Sequence, residues 1–260
     1  MSADATRSDP WWPFGAPSAI GQGNVGGPGA GLPSLVCFPF AGGGASTYRP
    51  WRRATEGRLE ICPLQLPGRE ARFREAAHTR LAPLLEQLMS EVAPRLVPPF
   101  AFFGYSMGAL IATGFIQRLA AAGGALPRTL VVAAARPPHC MPSTGELHSL
   151  PDEQFITALG EMNGTPAEVL AHRELMELVL PTIRADFALC ETYRHQPAPR
   201  LEIPLLVFGG DADPNVTPAH LEAWREVTSA DCEIVLLPGD HFFFEAHQGR
   251  MLELIRDRIS

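Results

Sequence analysis

Short apolar runs alternate with helical patterns along most of this 260-residue chain. The runs are rich in branched and aromatic residues, as buried strands are, and amphipathic or apolar helical stretches separate them. This alternation is typical of a mostly parallel central sheet flanked by crossover helices. The strands are predicted at 34–39, 59–64, 100–105, 129–135, 204–209 and 233–237, and the helices at 81–97, 107–122, 218–228 and 245–259. The pattern therefore predicts a single α/β domain.

Residues 137–199 break the alternation. Three helical patterns, at 150–159, 166–179 and 181–194, follow one another with no strand between them. A helical insertion in an α/β chain usually caps one end of the sheet, where it closes over a site and supplies an apolar pocket. We therefore expect a helical lid, and the alternative is a surface excursion that does not touch a substrate.

The first 32 residues are dominated by Gly, Pro, Ala and Ser, which cannot bury enough apolar surface to order a backbone. We expect a mostly disordered leader over 1–32 and a folded domain over 33–260. Trp11 and Trp12 form an aromatic exception. We interpret them as a short segment clamped onto the domain surface, and the alternative is a functional aromatic anchor.

Charge and composition exclude several classes of protein. The formal net charge of −7 argues against a nucleic-acid-binding protein, which needs a basic field to neutralise phosphates. The chain has neither a secretory signal pattern nor an apolar run of membrane-spanning length. Its five cysteines are scattered singly, so we expect reduced thiols and no metal site. These features predict a cytoplasmic protein.

The most informative segment is Phe-Ala-Phe-Phe-Gly-Tyr-Ser-Met-Gly, which begins at residue 100. An apolar strand runs into G-x-S-x-G and then directly into an apolar helix, which is the setting of a nucleophile elbow. Gly104 and Gly108 supply the small residues that so sharp a turn requires. The turn would present Ser106 as a nucleophile, with the Met107 backbone N–H at the helix N-terminus facing a developing oxyanion. The alternative is a glycine-rich turn that holds an exposed serine.

An acid and then a histidine follow Ser106 along the chain, which is the order of catalytic residues expected after a nucleophile elbow. Asp213 comes after the strand at 204–209, and His241 comes after the last strand. We prefer Asp213 to Asp211, because Pro214 places Asp213 at the turn beyond the strand. We expect Asp211 and Asp240 to brace their loops. Among the other histidines only His139 lies near the predicted active-site end, and nothing pairs it with a nucleophile.

A second oxyanion donor should come from the loop after the first strand, where Pro-Phe-Ala-Gly-Gly-Gly occupies 39–44. We expect a backbone N–H of Phe40 or Ala41 to point at the oxyanion. A phosphate-binding loop is the rival interpretation. It is disfavoured because no Lys-Ser/Thr follows the glycines and no G-x-G-x-x-G opens a helix there.

Taken together, these segments resemble the type II thioesterases of polyketide and nonribosomal peptide assembly lines, which have the α/β-hydrolase fold. The resemblance covers residues 34–259. It is carried by F-P-F-A-G-G-G (38–44), L-P-G-R-E (66–70), G-Y-S-M-G (104–108), R-A-D-F (184–187), E-T-Y (191–193), G-G-D-A-D (209–213) and G-D-H-F-F (239–243). The P-G-R-E and R-A-D-F segments are the most specific, because general esterases do not share them.

The resemblance implies an enzyme that hydrolyses misprimed or stalled acyl groups from the phosphopantetheine thiol of acyl carrier proteins. Ser106, His241 and Asp213 would act through an acyl-enzyme, without a metal or cofactor, and we expect a monomer. Two alternatives share the fold and the three residues: a carboxylesterase or lipase acting on oxygen esters, and an acyltransferase. A non-catalytic interaction module is disfavoured, because all three residues are present.

A carrier protein is typically acidic on its docking face, and one segment of this chain is locally basic. Residues 49–80 contain eight arginines against four glutamates. We hypothesise that part of this segment, including Arg72 and Arg74, faces the carrier protein. An ordinary solvated face is the alternative.

Overall fold

The structure, a computed structural model, describes residues 9–17, 32–142, 145–162 and 172–259. Within these ranges the strands are β1 Ser34–Phe38, β2 Glu60–Pro63, β3 Phe100–Tyr105, β4 Leu130–Ala133, β5 Leu205–Gly210 and β6 Cys232–Leu237. They form one sheet in the order β2-β1-β3-β4-β5-β6, and every neighbouring pair is parallel. All six predicted strands are confirmed.

The described α-helices are α1 Arg49–Ala54, α2 Leu81–Glu91, α3 Met107–Ala121, α4 Asp152–Glu161, α5 Arg173–Glu191, α6 Pro218–Glu222 and α7 Phe244–Ile259. Helix α1 was not predicted. Helix α2 ends earlier than predicted, and a 3-10 turn at Ala93–Arg95 follows it, because Pro94 has no N–H with which to continue the α-helical pattern. Helix α6 is likewise shorter and passes into the 3-10 turn Ala223–Glu226. None of the helices in the described ranges is long and apolar enough to cross a membrane.

The sheet separates two apolar layers. Successive side chains of a strand point to opposite faces, so Phe102 packs with Phe115 and the α2 and α3 side, whereas Phe103 packs with Trp51 and the α1 and α7 side. All six residues of β3 are buried. The loops at the carboxyl ends of these parallel strands meet at one edge, and β1 and β3 lie side by side where the strand order reverses. This is where open α/β sheets bind ligands.

The insertion has its own small core between α4 and α5. Phe155 and Leu159 of α4 pack against Met176, Leu180 and Ile183 of α5. The prediction of separate helices at 166–179 and 181–194 is wrong at residue 181, since Pro181 lies inside the continuous helix α5. A proline inside a helix costs about 3 kcal/mol, but this helix buries apolar side chains on both sides of it. Residues 163–171, where the second predicted helix begins, lie outside the described residues.

The two N-terminal tryptophans belong to the core. Trp11 and Trp12 are buried among the residues of the α2 and α3 layer, so their segment is held against the domain, as predicted. Trp11 donates from Nε1 to Glu91 (2.6 Å), and its carbonyl oxygen accepts from the Gln65 N–H (3.0 Å). The Arg72 guanidinium lies 4.2 Å from the centre of the Trp11 ring. Residues 9–17 therefore pack with the domain, while 1–8 and 18–31, the rest of the expected leader, lie outside the described residues.

Candidate active site

Ser106 stands in a strained turn between β3 and α3. Its φ of +51° and ψ of −115° are unusual for a residue with a side chain. A Cβ on Gly104 would lie 2.5 Å from the Ala109 Cα, and one on Gly108 would lie 2.2 Å from the Phe38 carbonyl oxygen. Only glycine therefore fits at both positions without displacing backbone, as the G-x-S-x-G spacing predicts.

The structure brings Ser106, His241 and Asp213 into one hydrogen-bonded chain. His241 Nε2 lies 3.1 Å from Ser106 Oγ, and His241 Nδ1 lies 2.7 Å from Asp213 Oδ2. An Nδ1–H that donates to the carboxylate leaves the Nε2 lone pair facing the serine hydroxyl. The Asp213 side chain is fully buried and that of His241 is 14% exposed, so water screens these interactions little. The arrangement can activate the hydroxyl as a nucleophile.

The surroundings of Asp213 keep its carboxylate ionised. Burial alone would raise its pKa, but the hydrogen bond and charge of His241, together with two backbone donors, leave the pKa below its ordinary value. The donors are the N–H groups of Asn215 (2.8 Å) and Val216 (3.2 Å), which both reach Oδ1. An ionised Asp213 can fix the histidine tautomer and stabilise an imidazolium.

The two neighbouring acids brace loops, as the sequence predicts. Asp211 accepts a hydrogen bond from the Gly239 N–H (2.9 Å), which joins the loop after β5 to the loop after β6. Asp240 accepts from the Phe242 N–H (2.9 Å) within its own turn. Neither contact involves the ring of His241. His139 lies away from the hydrogen-bonded chain and faces Glu226 (3.6 Å).

Tyr105 is a residue of the site that sequence reasoning missed. It directly precedes Ser106, its side chain is almost fully buried, and its hydroxyl donates to the carbonyl oxygen of His241. Its ring lies 6.0 Å from the His241 ring and 5.2 Å from the Phe244 ring. Burial raises the pKa of Tyr105, so the hydroxyl keeps its proton and remains a donor. The available signal was a tyrosine at the end of a buried strand, since a buried hydroxyl needs a partner.

The predicted oxyanion donors surround Ser106. The Met107 N–H is the first of α3 and has no acceptor within that helix. Ala41 lines the cavity beside Ser106 and Met107, whereas the Phe40 ring packs edge-on against Tyr105 (5.8 Å between centroids). Their role as donors remains a prediction.

A cavity of about 210 Å³ opens over Ser106 and His241. Its walls are mostly apolar and include Met141, Phe187 and Cys190 from the insertion, so the insertion is not a surface excursion without contact to the site. Burial raises the pKa of the Cys190 thiol, which keeps this cysteine neutral rather than a second nucleophile. Among the described residues, no group of three or more His, Cys, Asp or Glu could hold a metal ion.

The two most specific sequence segments, P-G-R-E and R-A-D-F, contact each other. Arg69 binds Asp186 through two hydrogen bonds of 2.7 Å, and the two side chains are 7% and 2% exposed. From the same helix as Asp186, Arg184 donates to the carbonyl oxygens of His148 (2.6 Å) and Leu150 (2.7 Å). The Arg69–Asp186 pair fastens the insertion to the sheet domain, whereas the Arg184 contacts join two parts of the insertion to each other. Sequence reasoning recognised both segments but did not pair them.

The arginines of residues 49–80 do not form one exposed face. Arg69 and Arg72 are buried, and Arg72 pairs with Glu75 while donating to the Gln65 carbonyl oxygen (3.1 Å). Arg52 and Arg53 line a groove that includes Glu60, the first residue of β2. That groove lies at the amino edge of the sheet, opposite the edge that carries Ser106. The hypothesis that Arg72 faces a carrier protein is therefore wrong, because its charge is used inside the domain.

Residues 33–259 match the family described as Thioesterase domain. The chain belongs to the thioesterase family. It is 40% identical over 230 residues to linear gramicidin dehydrogenase LgrE of Brevibacillus parabrevis, with 87% of each chain covered. It is also 40% identical over 221 residues to the gramicidin S biosynthesis protein GrsT of Aneurinibacillus migulanus, covering 85% of this chain and 86% of that one.

The solved structure of the type II thioesterase BorB, from the borrelidin biosynthetic cluster, superposes with a TM-score of 0.86 at 33% identity, covering 98% of this chain and all of that one. The α/β-hydrolase fold and the resemblance to type II thioesterases are thereby confirmed. The chain is accordingly an enzyme, a serine hydrolase that acts on thioesters. The dehydrogenase name of one relative has no counterpart in the glycine loop at residues 39–44, whose sequence does not match the G-x-G-x-x-G of a dinucleotide site.

Proposed function

We propose that this thioesterase releases acyl groups from the phosphopantetheine arm of acyl carrier proteins, with Ser106, His241 and Asp213 as its catalytic residues. The observation that carries the proposal is the Ser106–His241–Asp213 chain of hydrogen bonds, with distances of 3.1 and 2.7 Å, beneath an apolar cavity. An apolar wall suits an acyl chain, and the open side of the cavity leaves room for the thiol arm.

The reaction proceeds in two halves. Ser106 Oγ attacks the thioester carbonyl while His241 Nε2 takes its proton, and the resulting oxyanion accepts hydrogen bonds from the N–H groups of Met107 and Ala41. The C–S bond then breaks, and the histidine returns its proton to the departing thiol. In the second half His241 Nε2 takes a proton from water, and the water oxygen attacks the acyl-serine carbonyl. The bond between the acyl carbon and Ser106 Oγ then breaks, the free acid departs, and His241 returns the proton to Oγ. Asp213 stabilises the imidazolium in both halves.

The relatives support a carrier-bound substrate. Their names connect them with gramicidin S and borrelidin biosynthesis, and the resemblance to type II thioesterases of assembly lines implies an acyl thioester on a carrier protein. An editing role in such a pathway, in the cytoplasm and as a monomer, follows as part of the proposal. A carboxylesterase or an acyltransferase would use the same three residues, so the substrate decides between them.

The test offers the enzyme one acyl group in three forms: on a carrier protein, on a small thiol and as an oxygen ester. We expect the largest kcat/KM for the carrier-bound thioester and release of the free acid. Ser106→Ala serves as the matched inactive control. Preference for the oxygen ester would refute the carrier proposal, and transfer of the acyl group to an added amine or alcohol in place of hydrolysis would identify an acyltransferase. Full activity of Ser106→Ala would refute the assigned nucleophile.

A further inference from the structure

The carboxylate of Asp186 connects the insertion to the loop that follows β1. We propose that the buried Arg69–Asp186 pair is a positioning device, which holds this loop so that the Ala41 N–H faces the oxyanion. The proposal rests on the mechanism proposed above, in which Ala41 supplies one of the two donors. Arg69 and Asp186 are thus positioning residues, because they act through the loop rather than on the substrate.

Asp186 receives three short hydrogen bonds. Arg69 Nη2 donates to its Oδ1 and Arg69 Nη1 to its Oδ2, both at 2.7 Å, and the Gly42 backbone N–H donates to Oδ2, also at 2.7 Å. Charge-assisted bonds of this length are stronger than neutral ones, and burial strengthens them further. The Gly42 N–H is therefore committed to the insertion and cannot serve as an oxyanion donor.

The loop itself turns tightly between Phe40 and Gly43. The Gly43 N–H donates to the Phe40 carbonyl oxygen (2.9 Å), and the Gly43 carbonyl oxygen accepts from Arg69 Nη1 (3.1 Å). A trans peptide points its C=O and N–H in opposite directions. Because the Phe40 carbonyl points into the turn, the Ala41 N–H of the same peptide points out of it. The pair fixes the turn on both sides of Gly42, and so it fixes the direction of that N–H.

Helix α5 leaves the loop little freedom to shift. Gly42 has a φ of +78°, and a Cβ built there would lie 3.1 Å from Cγ1 of Ile183 on α5. One turn before Asp186, the Thr182 hydroxyl donates to the Gly68 carbonyl oxygen (2.6 Å), next to Arg69 in the chain. This part of α5 is fastened at two points, so any opening of the insertion has to occur elsewhere.

A buried ion pair can often be replaced by two apolar residues without loss of stability. A fall in activity after such a replacement then reports on the position of the loop and not on unfolding of the protein. Arg69→Met/Asp186→Leu removes the charges and the acceptor for Gly42. Arg69→Met/Asp186→Asn removes the charges but keeps a carbonyl oxygen that can accept from Gly42. Arg173→Met/Glu177→Leu is the matched control, because it removes an exposed ion pair (2.9 Å) from the same helix.

Each variant is measured with a small acyl thioester for kcat and KM, and by thermal unfolding. For the Leu double variant we expect kcat to fall about 100-fold or more, the loss typical of one oxyanion donor, with KM little changed. The Asn double variant should recover most of the lost kcat, and the control pair should match wild type. Wild-type kcat in the Leu double variant, or equal losses in both double variants, would overturn the proposal.

If the Leu double variant does not fold, a comparison of two single variants of Asp186 still tests the proposal. Asp186→Asn and Asp186→Ala differ in the acceptor for Gly42, so the proposal requires at least a tenfold lower kcat in the Ala variant at similar KM. Equal kcat in these two variants would contradict it. Because the substrate is a small thioester, the result is independent of carrier preference, and the Ser106→Ala control reports separately on the proposed nucleophile.

Discussion

Replacing Gly108 with alanine sets two opposing effects against each other. Alanine is favoured over glycine in a helix by about 1 kcal/mol, which would stabilise α3. The new methyl group, however, would lie 2.2 Å from the Phe38 carbonyl oxygen and 2.9 Å from that of Pro39. Both are backbone atoms at the buried end of β1, so neither can move aside as a flexible side chain would. Overpacking usually lowers the free energy of unfolding by about 1–3 kcal/mol. Because the clash here is with backbone atoms, we expect a loss at the upper end of that range, about 3 kcal/mol.

The balance is a net destabilisation of about 2 kcal/mol, which lowers the Tm of a domain of this size by about 4–8 °C. The displaced strand end leads directly into Phe40 and Ala41. We therefore expect kcat to fall as well, by up to the 100- to 1,000-fold associated with one oxyanion donor. Differential scanning calorimetry and hydrolysis of a small thioester measure the two effects.

Gly114→Ala is the matched control in the same helix. Its Cβ would meet Cδ1 of Leu85 at 2.9 Å, the far end of a side chain that can shift. The cost of that shift offsets the helical gain of about 1 kcal/mol, so Tm and kcat should stay close to those of wild type. If Gly108→Ala behaves like Gly114→Ala, the steric account of the elbow is wrong.

Three further predictions concern the core, the acid and the arginines. Trp12→Ala should destabilise the domain by about 3–5 kcal/mol, since the side chain is buried in the main core; a thermal melt within 2 °C of wild type would contradict its place there (2–4 °C per kcal/mol). The pKa of Asp213 is lower in the folded enzyme than its unfolded value of about 3.9, so its charge stabilises the fold above about pH 4 and ceases to do so as the pH falls through the folded pKa. The stability difference between wild type and Asp213→Asn, followed by urea unfolding from pH 7 to 3, should therefore shrink at the acid end; a constant difference would refute the assignment. Arg72→Met should lower Tm by several degrees, because the charge lies over Trp11, whereas the exposed Arg74→Met should stay within about 0.5 kcal/mol of wild type; equal melts would show that Arg72 does not support the core.

Much of the site could be predicted because it depends on strand ends. Ser106, Asp213 and His241 each follow a strand of the sheet, and parallel strands deliver their carboxyl ends to one edge, so chain order alone brought the three together. The preference for Asp213 over Asp211 likewise rested on local backbone chemistry, and the structure places Asp213 at the histidine. For these three residues, the local sequence pattern was sufficient to predict that their side chains meet at one edge of the sheet.

Contacts between distant segments could not be predicted in this way. Gly42 and Asp186 are 144 positions apart, and the helical periodicity around Asp186 gives no sign that its carboxylate is buried. The packing of Trp11 against the domain was expected, but its glycine- and proline-rich neighbours gave no sign of its partners Glu91 and Arg72. A helix boundary was predicted at Pro181, because a proline destabilises a helix locally. The packing of apolar α5 side chains against α4, which supports one continuous helix, is a contact between segments that the local sequence does not show.

Rapid-quench peptide mass spectrometry, with an acyl carrier protein as donor, shows whether a carrier-bound thioester acylates Ser106. We expect a transient mass increase of one acyl group on the peptide that contains Ser106, its decay as free acid appears, and no adduct on that peptide in Ser106→Ala. An acyl group found on another residue, or hydrolysis of the carrier-bound thioester by Ser106→Ala at the wild-type rate, would contradict it.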